Sequence, residues 1–201
     1  MKKTLRTADD KLGTRAPGTG LALATPAPTA SVRDLEGKLV QLENVWSQGP
    51  ALLVFYRGGW CPYCNWQLHQ LSESFDAFAS RGVRIAAISV DRVANAAALA
   101  EARGLPFPVF SDAKLAAHRA FRVVHELDAD TVAKLRGYGI DVQAASGEAH
   151  QSIAVPAVFI IGRVGGSPAS VHFVHSDNDY ATRPDPDQLL ALFDTLPIDK
   201  P

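Results

Sequence analysis

The stretch Ala51-Leu52-Leu53-Val54-Phe55-Tyr56-Arg57-Gly58-Gly59-Trp60-Cys61-Pro62-Tyr63-Cys64 decides the reading of this chain, because it holds both of its cysteines. Residues 51–56 form a near-continuous apolar run, the pattern of a strand buried on both faces of a sheet. From Pro62 onward Leu68, Leu71, Phe75 and Phe78 recur at helical spacing until Arg81-Gly82 interrupts them, which predicts one amphipathic helix with Pro62 in its first turn. The C-x-x-C thus lies where a strand ends and a helix begins. There, unpaired backbone N–H groups and the helix dipole favour a thiolate at Cys61. Cys64, one turn further on the same face, is placed to close a short disulfide with it. The pattern predicts redox chemistry, with Cys61 the more exposed and more acidic thiol and Cys64 shielded.

Outward from this segment, strands alternate with helices. Residues 83–90 read as a second strand, 93–103 as an alanine-rich helix, 109–110 as a short strand and 114–121 as a helix. Residues 155–161 and 170–174 read as late strands, and 185–196, opening with Asp and Pro, as a closing helix. Val32 to Leu42 reads as a hairpin turning at Glu36-Gly37. Residues 123–153 lack a clear period beyond a helical turn or two after Asp130 and are read as an insertion. Residues 1–28, punctuated by Pro17, Gly18, Gly20, Pro26 and Pro28, are read as an N-terminal arm, flexible or draped on the surface, and residues 29–201 as one domain.

Composition narrows the partners. The 201 residues are 47% apolar, enough for a core without staples, and 20 basic against 21 acidic residues give a net charge of -1. That balance offers no support for nucleic acid or an anionic membrane as partner. No apolar run approaches the roughly 20 residues of a membrane span, and Met1-Lys2-Lys3 leads to Asp9-Asp10 instead of a signal-type segment, so a cytoplasmic location is expected. In that compartment a C-x-x-C is more often catalytic or metal-binding than structural. A structural zinc site needs about four ligands and there is no second C-x-x-C. A disulfide spanning two residues restrains little unfolded-chain entropy. Neither alternative accounts for the motif as well as redox cycling, and no metal or organic cofactor is implied.

The chain resembles the thioredoxin superfamily, in detail its alkyl hydroperoxide reductase/thiol-specific antioxidant (AhpC/TSA, peroxiredoxin-like) branch, over roughly residues 30–197. The carriers are the entry hairpin, residues 54–64, Phe107-Pro108-Val109-Phe110-Ser111-Asp112, and Val155-Pro156-Ala157-Val158-Phe159-Ile160-Ile161. The resemblance implies an α/β thioredoxin-like fold: a central mixed β-sheet flanked by helices, with the N-terminal extension and the insertion before the cis-Pro-type strand. Three peroxiredoxin landmarks are absent. Matching from Phe55-Tyr56 puts Arg57 at the family's Pro, Cys61 at its Thr and Cys64 at its peroxidatic cysteine, and Pro156 stands where the family carries a catalytic Arg. Thioredoxins and glutaredoxins hold a cis-proline at that place, and Cys-Pro-Tyr-Cys is typical of glutaredoxins. The resemblance therefore implies a peroxiredoxin body with a thioredoxin-type site, with Pro156 cis and beside the dithiol.

The expected activity is thiol-disulfide oxidoreduction, with Cys61 attacking and Cys64 resolving. Arg57 is expected to support the Cys61 thiolate, Trp60 and Tyr63 to offer flat surface to a disulfide-bearing protein, and Pro156 to pair with substrate backbone. The alternatives are a thiol peroxidase with Cys64 peroxidatic and Cys61 resolving, in which Arg57, Arg119 or Arg122 replaces the missing arginine, and a non-enzymatic redox sensor. The partners implied are a disulfide-bearing protein or a peroxide, and a thiol reductant of the thioredoxin or glutathione type. His69 reads as a surface residue, His172 and His175 as opposite faces of one strand, and Asp177, Asp179, Tyr180 and Arg183 as a solvated polar loop.

Overall fold

The computed structural model describes Arg6–Thr7 and residues 12–200. In chain order the elements are β1 (Arg6–Thr7), β2 (Ser31–Arg33), β3 (Leu39–Gln41), β4 (Ala51–Phe55), α1 (Pro62–Glu73), α2 (Phe75–Ala79), β5 (Arg84–Ser89), α3 (Val93–Arg103), β6 (Val109–Ser111), α4 (Ala116–Ala120), β7 (Val124–Glu126), α5 (Ala129–Gly137), α6 (Val142–Ser146), β8 (Ser152–Ala154), β9 (Ala157–Gly162), β10 (Ser170–Ser176), β11 (Thr182–Arg183) and α7 (Pro186–Thr195). Seven strands form a mixed sheet in the order β10-β9-β4-β5-β6-β2-β3. The β4-β5-β6 centre is parallel and the flanking pairs are antiparallel.

Every residue of β4 is buried, as its unbroken apolar run requires of a central strand. Alternate side chains feed two cores: Leu52, Val54 and Tyr56 pack with Leu68, Leu71, Phe78, Leu99 and Phe193, and Leu53 and Phe55 pack with Phe121 and Phe159 on the other face. Side chains cap the ends of several helices. Asp185 and Gln188 form a reciprocal capping box at α7, with Pro186 in the first turn. Asp112 anchors α4 by accepting from the Ala116 and His118 backbone N–H groups, and it lies 2.6 Å from the buried His118 ring. At the entry hairpin Asp34 accepts from the Glu36 and Lys38 N–H groups, and Gly37 takes φ +82°.

The continuous helix expected from residue 62 to Arg81 is two helices. Ser74 leaves helical geometry at φ -97°, ψ 7°, and the chain turns before Phe75. The apolar spacing survives the break, since Phe75 and Phe78 still pack against the same core, so periodicity alone did not register it. The strand expected from residue 155 begins at Ala157, because Pro156 has no N–H to donate to a ladder.

Residues 123–153 fold back on themselves. Strands β7 and β8 pair antiparallel, α5 and α6 lie between them, and Leu135, Val142 and Ile153 make a small core with Val90 and Leu115 against which Trp60 packs. The insertion is thereby joined to the C-x-x-C loop. Residues 12–30 run along the edge strand β10, with Ala16 and Ala24 N–H groups donating to Ser176 and Val171 carbonyls at 2.8 Å and Ala27 N–H to Ala169 at 2.9 Å. This covers an edge that would otherwise be open to pairing. Among the described residues no helix is long and apolar enough to cross a membrane.

Candidate active site

Strands β4 and β5 run parallel, so both deliver their C-terminal ends to one side of the sheet. From β4 come Tyr56, Arg57, the Gly58-Gly59 turn and Cys61; from β5 comes Asp91, 1% exposed. Asp91 accepts the Gly59 N–H at 2.8 Å and the Ser89 hydroxyl at 3.1 Å, and the Asn65 side chain donates to the Gly59 carbonyl at 2.8 Å. Gly58 has φ +145°, and a Cβ there would come within 3.0 Å of Asp91 and closer still to the Trp60 indole nitrogen. Gly58 therefore accommodates the chain's own Trp60 and Asp91. Burial raises the pKa of Asp91 despite these bonds.

Cys61 is the N-cap of α1 and Cys64 lies in its first turn. Both thiols are free and both residues are 0% exposed. The expectation that Cys61 would be the more exposed does not hold, since Trp60, Tyr63, Tyr180 and α5 close around it; of the two, Cys61 alone borders a groove. The expected order of acidity does appear. The Cys61 pKa is lowered to about 6, chiefly by a hydrogen bond from the Cys64 thiol, which outweighs burial. The Cys64 N–H acts in the same direction, electrostatically and without a formed cap hydrogen bond, followed by Arg57 and Arg183. Burial, the donated hydrogen bond and the neighbouring charge push the Cys64 thiol up. One proton is thus shared unequally between two sulfurs: Cys61 is the thiolate and Cys64 the donor.

Arg57 lies between two rings, its guanidinium carbon 4.9 Å from the centre of Trp60 and 4.6 Å from that of Tyr180. Tyr63 meets Tyr180 edge-on at 5.3 Å. Arg57, Trp60, Tyr63, Cys61 and Cys64 are thus brought together. Pro156 is adjacent to them across Arg57 and Tyr180, with which it lines a small cavity, but its peptide bond is trans, contrary to the expected cis form. Its flanking backbone is already used: Val155 N–H donates to Val123 at 2.8 Å and the Pro156 carbonyl accepts from Asp177 at 3.3 Å. The Val155 N–H is thus taken by Val123, continuing the β7-β8 pairing towards Pro156.

The loop read as solvated packs onto the site instead. Arg183 is 3% exposed and its Nη2 lies 3.8 Å from the Cys64 sulfur, while the Arg57 N–H donates to the same sulfur at 3.4 Å. Pairing of β11 with β1 holds Arg183 there. Arg119 and Arg122, offered as substitutes for the missing arginine, are exposed on and after α4, with Arg119 bonded to the Lys114 carbonyl. Sequence reasoning missed Arg183, Asp91 and Asn65 as members of the site. Only Arg183 had a local signal, a charged residue between two apolar strands and a helix cap. Among the described residues no group of three or more His, Cys, Asp and Glu comes together as a metal site would require.

A sequence model of the AhpC/TSA family matches residues 23–166, and the chain belongs to that family. It is 30% identical over 95 residues to the thiol-disulfide oxidoreductase ResA of Geobacillus thermodenitrificans, covering 47% of this chain and 53% of that protein. It is 31% identical over 85 residues to the chloroplastic peroxiredoxin Q of Triticum aestivum, covering 42% and 39%. The chain thus spans about half the length, or less, of these relatives. The peroxidoxin BcpB structure from Mycobacterium tuberculosis superposes with a TM-score of 0.64 at 21% identity, over 87% of this chain and 97% of that one. That likeness establishes the thioredoxin-like peroxiredoxin fold.

Proposed function

We propose that this AhpC/TSA-family protein is a thiol-disulfide oxidoreductase in which Cys61 attacks and Cys64 resolves. The observation that carries the reading is the polarity of the pair: a Cys61 thiolate at the helix N-terminus, hydrogen-bonded by a buried Cys64 thiol. Attack by the Cys61 thiolate on a substrate disulfide forms a mixed disulfide and expels one substrate thiolate. Cys64 then loses its proton and attacks the Cys61 sulfur, releasing the second substrate thiolate and leaving the Cys61-Cys64 disulfide. A thiol reductant, as a reducing cytoplasm supplies, returns the pair to the dithiol.

Arg183 favours a second reading. An arginine against the Cys64 sulfur at 3.8 Å is a group able to polarise a peroxide there, with Cys64 oxidised to sulfenic acid and Cys61 resolving it. Burial of Cys64 and its raised pKa weigh against this, because the thiolate is the reactive form. Two variants separate the readings. For the oxidoreductase, Cys64→Ser accumulates a mixed disulfide at Cys61 and Cys61→Ser accumulates none. Rapid stoichiometric sulfenylation of Cys64 in Cys61→Ser at low peroxide refutes it in favour of the peroxidase.

A further inference from the structure

The groove beside Cys61 has a volume of about 460 Å³, within the range of small-molecule sites. One wall is the active-site segment Arg57, Trp60 and Tyr63; the other is the insertion, through Thr131, Lys134 and Tyr138 of α5 and the turn after it. The lining includes two cations, Arg57 and Lys134, and no carboxylate. Among the described residues neither cationic head has an ion-pair or hydrogen-bond partner; Arg57 is held only by the Trp60 and Tyr180 rings. Tyr138, 69% exposed, stands at the rim. Cys61 lines this space but has no exposed surface, so a small disulfide reaches its sulfur by shifting the lining side chains, whereas one on the convex face of a folded protein would have to displace α5 or the Tyr180 loop as well.

We propose that the groove binds a small anionic disulfide of tripeptide size, Lys134 and Arg57 recognising its carboxylates and the aromatic rings its stems. The proposal rests on the oxidoreductase reading and names the substrate class of that site. The insertion is what makes the chain selective: it supplies Lys134 and encloses the sulfur against larger substrates. The reaction is the two-electron exchange written above. One small disulfide is reduced to two thiols, the first released when Cys61 forms the mixed disulfide and the second when Cys64 closes the internal one.

The test uses the full chain, pre-reduced, mixed with three disulfides of different charge: oxidised glutathione (anionic), hydroxyethyl disulfide (neutral) and cystamine (cationic), with loss of protein thiols followed in time. Oxidised glutathione is expected to react at least about tenfold faster than cystamine at low ionic strength, and added salt to compress the ratio. Lys134→Glu should lower that ratio at least about fivefold, and Lys134→Gln by a smaller factor in the same direction. Lys134 is exposed, so neither change threatens the core. Equal rates for the three disulfides, or a ratio unmoved by both variants, overturns the proposal and leaves the oxidoreductase reading standing. Reduction of insulin disulfides with none of the small ones does the same. Failure to reduce any disulfide, small or protein, refutes both.

Discussion

Removing the Cys64 thiol should take away a large part of the acidity of Cys61. In the structure the largest influence lowering the Cys61 pKa to about 6 is the hydrogen bond from Cys64, ahead of the backbone and both arginines. A hydrogen bond to a charged group contributes about 1.5–3 kcal/mol, and a pKa unit corresponds to about 1.4 kcal/mol. Cys64→Ala should therefore raise the Cys61 pKa by about one to two units, to about 7–8. At pH 6.5 the thiolate fraction would fall from about three quarters to about a quarter or less. Thiolate absorbance near 240 nm measures this directly and, unlike alkylation, does not require a reagent to reach a sulfur with no exposed surface. Cys64→Ser, which keeps a donor, should lie between the two. If Cys61 in Cys64→Ala still titrates near pH 6, the helix terminus with Arg57 and Arg183 is sufficient, and assignment of the shared proton as the dominant cause is wrong.

The same proton predicts a break in the redox titration. Above about pH 6 the dithiol carries one proton and below it two, so the reduction potential should fall by about 30 mV per pH unit above the break and about 59 mV below it; a slope near 59 mV persisting to pH 8 would contradict a thiolate at Cys61. At the turn, Gly58→Ala places a Cβ against the Trp60 indole nitrogen and Asp91 in a backbone region hostile to side chains, and should destabilise the protein by about 1–3 kcal/mol in denaturant titrations. Gly59→Ala, whose nearest new contact is an ordinary 3.5 Å to Leu99, is the control and should cost clearly less. Equal losses for the two would refute the steric account of Gly58.

Patterns that depend on neighbouring residues were legible in the chain. The apolar run of β4, the position of Cys61 and Cys64 at a strand-to-helix junction, the capped closing helix and the entry hairpin all follow from short-range rules, and each stands in the structure. The order of acidity agrees with the expectation, but its chief cause is the hydrogen bond from the Cys64 thiol, with the helix N-terminus a smaller contribution. Helix periodicity was less informative at Ser74, where a break leaves Phe75 and Phe78 facing the same core.

What belonged to long-range contact had no such signature. Arg183 reaches Cys64 across 119 positions and Asp91 bonds Gly59 across 32; Arg183 read as part of a polar loop and Asp91 gave no signal until the sheet brought the strand ends together. The insertion showed no period because its short strands and helices bury a core only against Val90, Leu115 and Trp60, which are supplied by other parts of the chain. Pro156 illustrates the limit most clearly. Its place at the dithiol end of the sheet followed from strand order, but its peptide bond is trans and the residues before it pair with β7, and neither feature had a local signature. The sequence by itself determined which atoms are reactive, since thiol chemistry and helix capping are local; the tertiary structure decided what encloses them, since burial and charge at a sulfur are sums over residues distant in the chain.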